Sequence, residues 1–486
     1  MDVTRRTFLS ASAAAMVGSI LLPRRSTAAA HGLTAYGLTA YGLTAAPVSL
    51  PVVPGQPDTV LWGYNGGFPG PLLRVKQGER LRAVLRNDLP QDSSLHWHGI
   101  RLPNAMDGVP GLTQPPVRPG ESFVYEFDCR DAGTYWYHPH WASAEQIGRG
   151  LYGLLIVDEA SPPPVDRDVA WVLSDLRLDN QAQVTGDFRH PMDLSHAGRL
   201  GNTALLNGRL AEAFAVTPGE RLRLRLLNAA NARIFNLRFA GHVPWLMALD
   251  GHPVAPRRLE TGEALSLGPG MRADLILDAA AAAGQRHAVT DTNPRGEAYR
   301  LFDLAYQDGP VQSRPAARWR GDPPPALPAN PVAEPDLARA ERLALKLEGG
   351  AMGVLTALQV DGREVGLREA FQRHRVAWAL NGQAHTGTFP GGGHAGHGAP
   401  LFSLSLGKSY ILEVFNETAW PHPMHLHGHA FRVLDAPGRP LRDTVLLEPR
   451  GRTALAFTAD NPGDWMLHCH ILEHQAAGMM ATVRIG

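Results

Sequence analysis

Residues 467–480 read LHCHILEHQAAGMM, which places three histidines, a cysteine and two methionines within fourteen positions. On a β-strand, residues i and i+2 share a face, so His468 and His470 point one way and Cys469 the other. The same His-X-His spacing occurs as His96/His98 in HWHG, His138/His140 in YHPH and His425/His427 in HPMHLHGH. One such pair is ordinary; four pairs present eight imidazoles. A zinc site takes four ligands, or three plus water. Two separate zinc sites would use eight, but no HExxH metalloprotease pattern accompanies them. The pairs therefore suggest a cluster of several metal ions. Cys469, on the opposite face, needs a metal of its own if it is a thiolate. His422, His474 and Met479 are its candidate partners. Two histidines, a cysteine and a weakly held methionine are the ligands of a blue-copper electron-transfer site. The two centres would then be joined by a few covalent bonds.

Elements that would position these residues show up as a repeat. Residues 75–87 (VKQGERLRAVLRN), 216–228 (VTPGERLRLRLLN) and 404–416 (LSLGKSYILEVFN) align without gaps. Each has glycine at its fourth position, then alternating apolar residues, then a final asparagine. This is a turn feeding a half-buried strand. Three copies, about 140–190 residues apart, imply three similar β domains. His96 and His98 lie nine and eleven positions past Asn87, as His425 and His427 do past Asn416. The matching positions past Asn228 hold Leu237 and Phe239. His138/His140 and His468/His470 likewise follow Gly133 and Gly463 at equal offsets. The first and third domains thus carry the His-X-His pairs and the middle one does not. If those two domains meet, the eight imidazoles converge.

The remaining features bound the class. Lys+Arg and Asp+Glu balance at 46 each, so no basic excess points to nucleic acid. The 51 glycines and 40 prolines suit many turns and short strands. Cys129 reads as a packed thiol in a strand rather than a disulfide partner of Cys469. Arg5 and Arg6, followed by a short apolar run, read as a twin-arginine export signal, giving a periplasmic mature chain with no membrane span. GLTAYGLTAYGLTA, residues 32–45, shows no core pattern and is expected to be a flexible leader. The expected division is a signal and leader over 1–45, domains over 46–160, 161–317 and 339–486, and a proline-rich linker over 318–338. His394 and His397, in GGGHAGHGAP, read as surface residues of a glycine loop. His385 and His429 receive no role.

HWHG, YHPH, HPMHLHGH and HCHILEHQAAGM occur in that order, and MDGVPGLTQPPVRPGESFVYEF lies between the first two. With them the chain resembles the multicopper oxidases of the bacterial laccase-like kind over nearly all of its mature length. The resemblance implies an all-β chain of three cupredoxin-like Greek-key barrels. It implies four coppers: type 1 on His422, Cys469, His474 and axial Met479; type 2 on His96 and His425; a type 3 pair on His98, His138, His140, His427, His468 and His470. It implies one-electron oxidation of a reductant coupled to reduction of dioxygen to water, in a monomer. Asp107 matches a family acidic residue near the type 2 copper and is the expected proton donor. Glu473 is a second candidate that could instead orient the His474 ring. Gln475 stands where several relatives have glutamate. A cuprous oxidase is the main alternative, although the 11 methionines are not clustered. A relative without coppers and a two-domain nitrite reductase fit the full ligand set less well.

Overall fold

The structure is a computed structural model that describes residues 33–35, 37–292, 297–307, 323–360, 362–385 and 399–486. The Arg5–Arg6 motif, His394 and His397 lie outside the described residues. Strands dominate, at 47% against 6% helix, and they form three units of two sheets each. In the first, a sheet on Leu38–Leu50, Arg80–Asn87 and Ser122–Asp128 faces a sheet holding His96–His98 and Gly133–His138. The second has sheets of six and five strands, the third sheets of nine and five.

Each copy of the thirteen-residue repeat forms the equivalent strand: Arg80–Asn87, Arg221–Asn228 and Ser409–Asn416. Each pairs in parallel with the opening strand of its domain. The turn glycines Gly78, Gly219 and Gly407 have φ of +85°, +87° and +79°, a region that costs other residues a clash with their own Cβ. The final asparagines explain themselves equally well. Asn87, Asn228 and Asn416 are buried, and each Nδ2 donates both to a carbonyl of the loop that follows (Gln91, Arg233, Trp420) and to one of a distant segment (Val117, Leu267, Glu448). Each Oδ1 accepts a backbone N–H two residues on. The asparagine thus clamps the loop leading to the next strand, where domains one and three place His-X-His.

Two expectations fail. Residues 38–45 are not a flexible leader. They belong to strand Leu38–Leu50, which pairs with Arg80–Asn87 and buries Tyr41, Leu43 and Ala45. A five-residue repeat hides this, because an odd period sends successive copies to opposite faces of a strand. The first domain therefore begins before residue 46. The middle repeat strand is also not half-buried. Every residue of Arg221–Asn228 is buried, because its arginine face docks on carboxylates. Arg223 pairs with Glu159 and Asp274, and Arg225 with Asp168 and Asp274. Arginines on a strand normally face water; here paired acids replace the water.

The described part of the linker, 323–338, has no strand or helix, but it is fastened down. Leu327 is buried against Met247 and Ile276. Asn330 donates to the Ala132 and Gly251 carbonyls. Cys129 is buried just past the end of Ser122–Asp128, its thiol pushed up to about 12 by burial, and both cysteines are free.

Candidate metal centre

Cross-strand pairing assembles the histidines. His96 lies opposite His138 on antiparallel strands, and His425 lies opposite His468. Domains one and three then close on each other ring to ring. His96 stacks on His427 at 3.9 Å between centroids, and His98 on His425 at 3.7 Å. Within 4.8 Å of one another lie the ligand atoms of three groups: His98, His138 and His470; His140, His427 and His468; His96, His98 and His425. All eight rings are buried.

The outward ring atoms determine what the inward atoms can be. His96 Nδ1 donates to the Asp107 carbonyl, His138 Nδ1 to Pro139, His425 Nδ1 to Asp443 and His468 Nδ1 to Cys469. Carbonyl oxygens only accept, so each Nδ1 carries the proton and each Nε2 is a bare lone pair. His427 Nδ1 donates to Asp107 Oδ2 at 2.8 Å. Its Nε2 then faces His468 Nε2 at 3.1 Å, two lone pairs pointed at each other. His98 is turned the other way. Its Nε2 lies 3.2 Å from Asp443 Oδ1 and 3.1 Å from Thr444 Oγ1, which leaves Nδ1 inward. His96 Nε2, His98 Nδ1, His138 Nε2 and His425 Nε2 have no protein hydrogen-bond partner. Burial, with neighbouring imidazoles adding to it, holds His138, His140, His427 and His470 well below the ordinary histidine pKa; burial does the same at His98. Neutral rings with converging lone pairs suit metal cations and little else.

The cysteine site follows the same rule. His422 Nε2 donates to Thr418 Oγ1 at 2.7 Å, and His474 Nε2 to the His196 carbonyl at 2.6 Å. Their Nδ1 atoms face each other at 3.1 Å, with Cys469 Sγ 3.5 and 3.8 Å away. Burial lowers His474 to about 3 and raises the Cys469 thiol, so a thiolate here requires a bound cation. Two imidazoles and a buried sulfur are a donor set for copper. Met479 is buried in the same apolar cluster, and its carbonyl accepts from Cys469 N.

Domain two contributes although it has no ligand. Arg272 is fully buried and its five N–H groups are all used. Nη1 and Nη2 reach Asp443 at 2.8 and 2.5 Å, and the others reach carbonyls of Thr134, Gly270 and Asp250. Burial opposes a charge on Asp443, but the Arg272 guanidinium holds it well below the usual carboxylate range. At Gly270 (φ +82°) a Cβ would lie 2.8 Å from His470 and 3.0 Å from His98, so only glycine lets this backbone close the cage. Neither Arg272 nor Gly270 carries a motif readable in the sequence. They lie at and just before the start of strand Arg272–Asp278, which pairs with the repeat strand.

Glu473 does not orient His474. Its carboxylate accepts from Arg199 N and Asn231 Nδ2, each at 3.0 Å, and burial raises its pKa. The ring is held by His196 of domain two instead. His429 is buried against Phe457 and Trp465.

Family models described as multicopper oxidase match residues 50–162, 175–303 and 371–486. A multicopper oxidase structure from Pseudomonas thermotolerans is 36% identical with a TM-score of 0.79, covering 92% of this chain and 99% of that one. The chain belongs to the multicopper oxidases. A Mycobacterium tuberculosis multicopper oxidase is 29% identical over 87% of this chain and 83% of its own. A copper resistance protein A homolog of Pseudomonas syringae pv. tomato is 27% identical over 87% and 88%. The oxidase is thus built of cupredoxin-like domains, binds four coppers per chain and couples oxidation of a reductant to reduction of dioxygen. No helix among its described residues is long and apolar enough to cross a membrane.

Proposed function

We propose that this oxidase is laccase-like, taking single electrons from phenolic or related aromatic reductants at His422, Cys469, His474 and Met479. In the same reading His96 and His425 hold the type 2 copper. His98, His138 and His470 hold one member of the type 3 pair, and His140, His427 and His468 hold the other. The observation that carries this reading is the set of bare imidazole nitrogens facing inward, each fixed by a hydrogen bond on its far side. Copper bound there supplies one-electron uptake at the thiolate and four-electron reduction of dioxygen at the cage.

The chain's own groups do the rest. Cys469 sits between His468 and His470, so one peptide segment links the two centres. Carbonyl and carboxylate acceptors hold the rings in one tautomer, so nothing reorganises when an electron arrives. Asp107, whose Oδ2 accepts from His427, is positioned to pass protons into the cage. Apolar burial around Cys469 excludes water from the thiolate.

Elemental analysis and visible spectra test the reading. The loaded protein should hold about four coppers and be blue, and Cys469→Ser should lose the colour and the oxidase activity. Zinc in the active, loaded enzyme would sink it. Cuprous oxidation is a second reading. Met192 and Met352, 54% and 70% exposed, lie on the two segments joined over the cysteine site by the Ala351 N to Ser195 O bond. Steady-state rates on a phenol and on Cu(I) separate the two. We also propose export by the twin-arginine route to the periplasm. Replacing Arg5 and Arg6 with lysine should hold the precursor in the cytoplasm, and unimpaired export would end that reading.

A further inference from the structure

His474, which meets domain two at the His196 carbonyl, exposes none of its surface. Its outward nitrogen is not free for a substrate, because Nε2 already donates to the His196 carbonyl at 2.6 Å. The covering segment is pinned from three sides. Trp378 packs against His474 with its ring tilted by 36° at 4.2 Å between centroids, and donates its indole N–H to the Leu194 carbonyl at 2.6 Å. Ala351 N donates to the Ser195 carbonyl at 2.7 Å, and the Ala351 carbonyl accepts the Trp420 indole N–H at 3.0 Å. Trp420 in turn meets the His196 ring edge-to-face at 5.5 Å. The other imidazole leads to the same place. His422 Nε2 donates to Thr418 Oγ1, which also accepts the Trp420 backbone N–H at 3.1 Å. Both copper-binding rings thus end, through one hydrogen bond or two, at the half-buried rings of His196 and Trp420.

We propose that the reductant docks as a planar aromatic ring on His196 and Trp420, and that its electron enters through the His196 carbonyl–His474 hydrogen bond rather than by contact with the imidazole. This rests on the laccase-like reading above. Direct contact is blocked, because the carbonyl occupies the one nitrogen a phenol would need. Aromatic faces are the groups the surface offers next, and a flat, electron-rich ring stacks on them. A phenol docked there gives up one electron and its hydroxyl proton and departs as a phenoxyl radical. Copper held by His422, Cys469 and His474 would take up the electron, and the proton goes to surrounding water. Four such events deliver the four electrons that, with four protons, convert one dioxygen to two waters.

Anaerobic stopped-flow bleaching of the blue band by hydroquinone tests the docking site in the copper-loaded enzyme. Trp420→Ala and His196→Ala should each slow bleaching about ten-fold, the scale of a lost positioning contact. Trp420→Phe and His196→Phe keep a ring and should stay close to the parent. Copper content, absorption and the potential of the blue centre should not change. A second readout needs no copper. In the copper-free protein, hydroquinone should shift the Trp420 indole N–H resonance, and this holds even if an alanine variant fails to fold. Bleaching at the parent rate in both alanine variants overturns the docking site, as does slowing that tracks an altered potential. If the unsubstituted enzyme is itself not bleached by hydroquinone, the laccase-like reading fails instead.

Discussion

Among the described residues, two carboxylates touch the cage: Asp443, which is paired with Arg272, and Asp107, which has no such cation; each dioxygen reduced there consumes four protons. Asp107 Oδ2 accepts from His427 Nδ1, and its backbone carbonyl from His96 Nδ1, so one residue orients two ligands. Asparagine can still accept from His427 but cannot carry a proton. Asp107→Asn should therefore keep the copper while slowing reoxidation of the reduced enzyme by dioxygen about ten-fold or more. Stopped-flow mixing decides it, and parent rates in a fully loaded variant would leave Asp107 a purely orienting residue. Gln475 is buried with its Oε1 unpartnered, so Gln475→Glu should leave reoxidation unchanged or faster in the same experiment. Met479 is buried among apolar groups, and leucine conserves its volume. Met479→Leu should keep the blue band and raise the potential, because a weak axial donor stabilises the oxidised metal. A redox titration without an upward shift would remove Met479 from the site.

Among the elements, the first strand shows how much the repeats conceal. Removing residues up to 45 takes Tyr41 and Leu43 from the core and unpairs Arg80–Asn87 from Leu38–Ala45. Each large apolar side chain buried contributes about 1.5–3 kcal/mol. We expect the truncated protein to melt well below the parent; equal melting temperatures would restore the leader reading. The repeat itself was legible because its turn glycine and clamp asparagine recur where no metal binds. Asn228 keeps the same hydrogen bonds as Asn87 and Asn416. Its burial of arginine was not legible, since an RLRLRLLN stretch shows alternation but not the acids of distant segments, Glu159, Asp168 and Asp274, that cover it.

Over the whole molecule, domain two acts as a clamp. Replacing Arg272 with leucine leaves Asp443 a buried carboxylate without its cation, a change costing about 3–5 kcal/mol. It also frees His98 and His425 to turn. Arg272→Leu should keep the blue colour of the Cys469 site while copper per chain falls below four. Full copper content, measured on folded protein, would contradict this. Copper removal has a pH signature. Below about 6.5, histidines of the unfolded chain take up protons that the buried rings refuse. The copper-free protein should be most stable above that pH. It should weaken as pH falls toward the lowered folded values, about 3 for His474 and about 4 for His252. Each such ring contributes about 1.4 kcal/mol per pH unit. Melting curves of the copper-free protein at pH 7.5 and 5.0 check it, and no drop would contradict it.

The proposed ligand set was readable in the sequence alone, because His-X-His and Cys469 encode their faces through strand period, which is local. Three domains were readable the same way, by a repeat whose turn glycine and clamp asparagine recur at fixed places within thirteen positions. Other facts were decided only by the tertiary structure. Which ring nitrogen of His98 faces inward depends on Asp443 and Thr444, more than three hundred residues away. What covers His474 depends on a carbonyl, and main-chain atoms leave no trace in residue type. Arg272 and Gly270 guard the cage from a domain that supplies none of its eight imidazoles. Such roles arise from packing between distant segments, and spacing along one chain cannot encode them.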